Sequence, residues 1–165
     1  MKLYIKQKVF SWKDKFTVKT YYGEDKYVVE GEMFSLGKKL HIYDLAGREV
    51  AFIQQKIFSF MPRYFVFAGD TQVAEIVRKF SLFRPKYEVA GLNWQVEGDF
   101  FAHNYIITDE GRKVVEINKE WMTWGDCYEL DIAVGADEIV ALATVLAIDC
   151  ATANNGGVSV SVSSN

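Results

Sequence analysis

The stretch from Ala136 to Ala153 constrains the fold more than any other part of this sequence. It opens on Asp137 and Glu138, which suit the positive end of a helix. Ile139, Val140, Leu142, Ala143, Val145, Leu146, Ala147 and Ile148 then place apolar side chains on every face of that helix. It closes on Asn154-Asn155-Gly156-Gly157, a stop signal. A helix without a polar face belongs inside a protein or inside a membrane. The run from Ile139 to Ile148 is interrupted only by Thr144 and is far shorter than the about 20 apolar residues a bilayer requires. The segment therefore reads as a buried helix over 136–153, about 27 Å long at about 1.5 Å per residue, with no transmembrane span.

The rest of the chain reads as strands. Leu3, Ile5 and Val9 alternate with Lys2, Lys6 and Lys8, and Phe16 and Val18 alternate with Lys15, Thr17 and Lys19. Period two of this kind marks strands with one buried face. Turn residues punctuate them at Gly23-Glu24-Asp25, Gly37-Lys38, Ala46-Gly47, Gly69-Asp70, Asp109-Glu110-Gly111 and Trp124-Gly125-Asp126. Half of the 165 residues are hydrophobic and 15% are aromatic, which is ample for one ordered domain and excludes a disordered chain.

The strands repeat. Tyr27-Val28-Val29-Glu30-Gly31-Glu32-Met33-Phe34 matches Trp94-Gln95-Val96-Glu97-Gly98-Asp99-Phe100-Phe101 position by position. Further along, His41-Ile42 matches Tyr105-Ile106, Gly47-Arg48-Glu49-Val50 matches Gly111-Arg112-Lys113-Val114, and Tyr64 matches Tyr128. The offset shortens in the hairpin loop, where a change of length costs little. The repeat runs roughly over 27–67 and 94–131. Gly47 and Gly111 are expected to supply the positive φ of tight turns, with Arg48 and Arg112 on exposed strand starts. Eight strands make a barrel whose side chains just fill it, and a wider barrel needs a plug. The expected fold is therefore an antiparallel β-barrel of about twelve strands, built from a duplicated unit over residues 1–153 and enclosing the C-terminal helix. Residues 154–165, with Val158 to Ser163 alternating but lacking bulk, are expected to form a tail.

The two-copy repeat, the basic and aromatic stretch Glu75-Ile76-Val77-Arg78-Lys79-Phe80-Ser81-Leu82-Phe83-Arg84-Pro85-Lys86-Tyr87-Glu88-Val89, and the terminal apolar helix resemble the LURP-one-related family. The resemblance covers the chain roughly to Ala153. It implies a fold similar to the C-terminal domain of tubby proteins and to phospholipid scramblases, with twelve strands around a central hydrophobic helix. Tubby domains bind phosphoinositide headgroups through basic residues. Scramblases usually add palmitoylated cysteines and a calcium-linked segment, and neither a cysteine cluster nor an acidic calcium loop occurs here.

Chemical signatures are missing from the sequence. It contains no Gly-rich phosphate loop, no Gly-x-Ser-x-Gly elbow and no His-Glu-x-x-His pair. His41 and His103 read as strand or hairpin histidines. Cys127 and Cys150 read as two buried thiols in a reducing cytoplasm, because their spacing to the histidines fits no metal site. No cofactor, no metal and no catalytic residue is expected. A net charge of −3 argues against a nucleic-acid partner. Met1 to Lys6 alternates at once and forms no apolar signal region, so the expected location is the cytoplasm, peripheral to a membrane if lipid is bound. Trp12, Tyr21, Tyr22, Trp94, Trp121 and Trp124 are expected to pack in the core and rim.

Charge supplies the functional lead. Residues 1–20 carry +5, leaving −8 for the rest of the chain. Lys6, Lys8, Lys13, Lys15 and Lys19 are expected to cluster on the outer wall of the first hairpin, and Arg78, Lys79, Arg84 and Lys86 near a later turn. Basic clusters of this kind attract anionic headgroups, at about 1 kcal/mol per residue near the surface. They equally serve as solvated strand faces that guard an edge. The sequence thus points to a non-enzymatic binding module for anionic phospholipid or another phosphorylated ligand. The alternative is a structural barrel that presents a loop-borne apolar patch to a protein partner, and the third reading is an enzyme with its site in the barrel mouth.

Overall fold

A computed structural model of the protein describes residues 1–6, 15–32, 34–79, 86–123 and 125–153. Twelve strands run in chain order: β1 (Lys2–Lys6), β2 (Lys15–Lys19), β3 (Asp25–Gly31), β4 (Lys39–Asp44), β5 (Glu49–Gln55), β6 (Arg63–Ala68), β7 (Thr71–Lys79), β8 (Lys86–Ala90), β9 (Trp94–Asp99), β10 (Asn104–Asp109), β11 (Arg112–Met122) and β12 (Gly125–Ile132). The helix α1 (Glu138–Ala153) follows. Each strand pairs antiparallel with its chain neighbours, and β1 pairs with β12, so the sheet closes into a barrel. The closing ladder matches Leu3 with Leu130 and Ile5 with Tyr128. The Met1 ammonium donates to the Ile132 carbonyl at 2.6 Å.

Alternation decides which side chains line the lumen. Val18, Val29, Ile42, Ile53, Val66, Ile76, Val89, Ile107, Ile117 and Leu130 point inward and are almost wholly buried. Against them lies α1, in which every residue from Val140 to Thr152 is buried. The helix lies against β5, β6 and β7 and also touches β12. Burying each Leu, Ile or Val contributes about 1.5–3 kcal/mol, so helix and barrel stabilise each other. The expected plug is the plug observed.

Both helix ends have chemical partners. Asp137 Oδ1 accepts the Ile139 and Val140 amides at 2.9 and 3.0 Å, an N-cap that starts the helix at Glu138, just inside the expected boundary at 136. Glu138 accepts the Tyr27 hydroxyl at 2.7 Å and pairs with Lys26. At the other end Tyr64 donates its hydroxyl to the Cys150 carbonyl at 3.3 Å, and Thr152 returns its hydroxyl to the Ile148 carbonyl at 2.9 Å. Terminal carbonyls buried in a barrel need such donors.

Turn chemistry matches the sequence at the repeated glycines. Gly47 and Gly111 adopt φ of 77° and 79°. Arg48 and Arg112 are exposed at the strand starts and pair with Asp44 and Asp109.

Candidate docking face at the loop end of the barrel

Up-and-down topology sorts the connections onto two ends. Those after odd-numbered strands emerge at the end where α1 finishes, and those after even-numbered strands emerge where α1 begins. Glu138 meets Tyr27 near the start of β3, whereas Thr152 meets Tyr87 near the start of β8, which fixes the helix direction.

The odd end carries its apolar side chains outward. In the β3–β4 connection Phe34 is 97% exposed and Leu36 is 82% exposed. In the β5–β6 connection Phe58 and Phe60 are fully exposed, with Ile57 partly so. These two loops are tied together. Gln55 donates its amide to the Lys38 carbonyl at 2.7 Å, and the Lys38 amide donates to Gln55 Oε1 at 3.0 Å. The Ser35 hydroxyl donates to the Gly37 carbonyl at 2.7 Å. A Cβ on Gly37 would stand 3.3 Å from Ile57 Cγ1, so the loops pack closely there. Phe58 adopts φ of 59°, a left-handed conformation that costs a non-glycine residue on the order of 1–3 kcal/mol. The aromatic ring is thus held out in water by a backbone that a glycine would adopt more easily.

Basic residues lie on the same two connections and on the strand ends next to them. Lys56 lies 5.9 Å from the Phe65 ring, Lys39 pairs with Glu32 at 3.1 Å, and Arg63 pairs with Glu75 at 3.0 Å. Burial holds the Lys38 ammonium below the usual lysine range. Across the barrel, the even-end connections carry Glu24, Asp70, Glu110 and Asp137 against Arg48. The two ends therefore differ in the charge of their connections, while both expose apolar side chains, Tyr22, Leu45 and Val134 among them at the even end.

The basic residues singled out from sequence fall into several groups. Lys6, Lys15, Lys79 and Lys86 sit at strand ends on the odd end, and Lys19 sits at the even end. Lys15 pairs with Glu30 at 2.6 Å, Lys79 with Glu88 at 2.6 Å, and Lys19 with Asp25. Carboxylates on the flanking strands thus offset much of the first hairpin's charge. Arg78 shares the inward-facing register with Tyr87, its partner across β7 and β8, and its Nε is buried. Lys8, Lys13 and Arg84 lie outside the described residues.

The aromatics depart from expectation. Trp121 is 75% exposed, and Tyr21 and Tyr22 lie on the surface, Tyr21 tilted over Tyr4 at 6.1 Å. Trp94 is half-buried, and Trp12 and Trp124 lie outside the described residues. A strand-period reading cannot tell a rim ring that packs from one that faces water.

A second feature was hidden in the helix. Asp149 is buried near the odd end, accepting the Tyr128 hydroxyl at 2.5 Å, with His103 Nε2 3.6 Å away. His103 stacks on Tyr128 at 4.3 Å. The buried hydroxyl of Tyr105 has no partner among the described residues. Burial raises the Asp149 carboxyl to about 6, although His103 and Tyr128 oppose the shift. His41 lies instead on the outer wall, between Glu49 at 2.6 Å and Glu32 at 2.9 Å. Among the described residues no group of three or more His, Cys, Asp or Glu side chains is placed to hold a metal ion. No helix among them is long and apolar enough to cross a membrane.

Comparison with known proteins gives three findings. A family model described as LURP-one-related matches residues 1–149. The protein YxjI of Bacillus subtilis (strain 168), named as uncharacterised, is 34% identical over 155 residues, covering 94% of this chain and 96% of that protein. The X-ray structure of an Arabidopsis thaliana protein superposes with a TM-score of 0.64 at 13% identity, covering 92% of this chain and 90% of that one. At that identity the likeness concerns the fold.

Proposed function

The chain belongs to the LURP-one-related family, and from that membership and its two-ended surface we propose that it is a non-enzymatic binding module that docks its odd end on an anionic membrane surface. One observation carries this reading: Phe34, Leu36, Phe58 and Phe60 project fully into water from two cross-braced loops beside Lys38, Lys39 and Lys56. Exposed apolar patches rimmed by polar groups mark interaction sites. Aromatic rings flanked by lysines suit the interface of an anionic bilayer, where rings enter the headgroup layer and lysines meet lipid charge. Lys6, Lys15, Lys79 and Lys86 add charge at the same end. We extend the same role to Lys8, Lys13 and Arg84 by their sequence positions, and not to Lys19, which sits at the even end, or to Arg78, which faces inward. The helix α1 runs buried inside the barrel, and this reading uses the loops at its odd end.

Co-sedimentation with vesicles tests the proposal. Recovery is expected to rise when phosphatidylserine is added to phosphatidylcholine, to fall with salt, and to be lost in Phe58→Ser/Phe60→Ser. Equal recovery with neutral and anionic vesicles would sink the lipid reading. Capture of a protein partner by the same loops, without lipid preference, would transfer the patch to the protein-interaction reading.

A further inference from the structure

Two seams of the barrel wall pair at only two positions each, β1–β2 and β8–β9, and for the second the β2–β3 ladder supplies a control. β3, which opens the first copy, pairs with the preceding strand β2 at five positions, from Lys15↔Glu30 to Lys19↔Asp25. Lys15 and Glu30 close the end of that ladder with a 2.6 Å ion pair, and the inward Tyr27 and Val29 are 9% and 0% exposed. β9, which opens the second copy, pairs with the preceding strand β8 at only two positions, Glu88↔Gln95 and Val89↔Trp94. Continued by two residues, that register would set Tyr87 against Val96 and Lys86 against Glu97, the counterparts of Phe16 with Val29 and of Lys15 with Glu30. The residues for closure are all present, yet the strands part before reaching them. Lys86 and Glu97 have no ion-pair partner among the described residues, and Trp94 and Val96, though inward-facing, stay half exposed.

The parted strands flank an open cleft of about 410 Å³, within the size range of small-ligand pockets. Its walls are Tyr87, Trp94, Val96 and Phe100, and its rim carries Lys86 and Glu97. The Tyr87 ring cannot readily fill the space, because its hydroxyl is bonded to Thr152 on α1 at 3.1 Å and its face meets the edge of Phe100 at 4.8 Å. Glu88, also on the rim, is taken up by Lys79 at 2.6 Å. What remains is an aromatic slot with one ammonium on one lip and one carboxylate on the other.

We infer that the β8–β9 seam is a binding slot for a single-chain amphiphile with a zwitterionic head: the chain lies between Tyr87, Trp94, Val96 and Phe100, and the head spans Lys86 and Glu97. The head's anionic group meets Lys86 and its cationic group meets Glu97. The equivalent pair on β2 and β3, Lys15 and Glu30, meets directly and leaves no slot between the strands. This inference does not rest on the membrane reading, which concerns other loops.

The test is a titration with dodecylphosphocholine below its micelle concentration, read by Trp94 fluorescence, with Trp94→Phe identifying the signal. Saturable binding is expected, weaker by tenfold or more for dodecanoate and for phosphocholine without a chain. Lys86→Cys/Glu97→Cys, cross-linked by oxidation, is expected to lose binding of the zwitterion, while reduction restores the slot and the chain-dependent part of the affinity. Val96→Phe, which narrows the slot, is expected to weaken binding by tenfold or more. Phe58→Ser/Phe60→Ser is expected to leave the titration unchanged. The inference is overturned if no saturable signal appears, if dodecanoate binds as well, if the cysteines fail to cross-link, or if cross-linked protein binds undiminished.

Discussion

Asp149 is the residue at which this chain departs furthest from an apolar plug. A carboxyl buried in the barrel and raised to about 6 binds its proton more tightly in the folded chain than in the unfolded one, whose reference lies near about 3.9. Between those two values the native state holds more protons, so stability falls as pH rises through the window, and the full penalty is present above it. Asp149→Asn is therefore expected to stabilise the protein by roughly 3 kcal/mol at pH 8, a gain that fades below about pH 4. Thermal unfolding across pH checks this. A destabilised variant at pH 8 would mean that attraction to His103 and the Tyr128 hydrogen bond outweigh desolvation. Phe58 gives a second test at this scale. Because its ring buries nothing and its φ is 59°, Phe58→Gly is expected to leave stability unchanged or raise it by about 1 kcal/mol, while weakening vesicle binding.

At the scale of elements, the helix and strands were largely legible in the sequence, and their partners were not. Asp137 and Glu138 announced the helix start and all-round apolarity announced its burial, because both signals are local. Leu146→Ala is expected to cost about 2–5 kcal/mol, and Asp137→Ala about 1 kcal/mol through the lost cap, both measurable by denaturant unfolding. Asp149, one position past the apolar run, carried no local sign of its neighbours: Tyr128 and His103 reach it from other strands and loops. The lysine faces were likewise legible as outward-facing, since alternation fixes orientation. Their carboxylate partners were not, because Lys2 meets Glu129 only after the barrel closes across nearly the whole chain. The same holds for the β8–β9 seam. The repeat could be read from residues, but where a ladder stops depends on how twelve strands share one circumference.

At the scale of the whole molecule, closure turns an alternating chain into a body with two unlike ends. Odd-numbered connections bring Phe34, Leu36, Phe58 and Phe60 together with bases, and even-numbered connections collect acidic residues. A net charge of −3 concealed this division, because an average over the surface cannot report a dipolar arrangement. Orientation on a membrane is therefore the central claim. It is tested most directly by placing one reporter tryptophan at each end, Phe58→Trp and Val134→Trp, in a chain whose four native tryptophans are replaced by phenylalanine, and following emission and iodide quenching on anionic vesicles. A blue shift and protection from iodide are expected at position 58 with no change at position 134. Equal change at both positions, or none at position 58 while the protein is vesicle-bound, would contradict it.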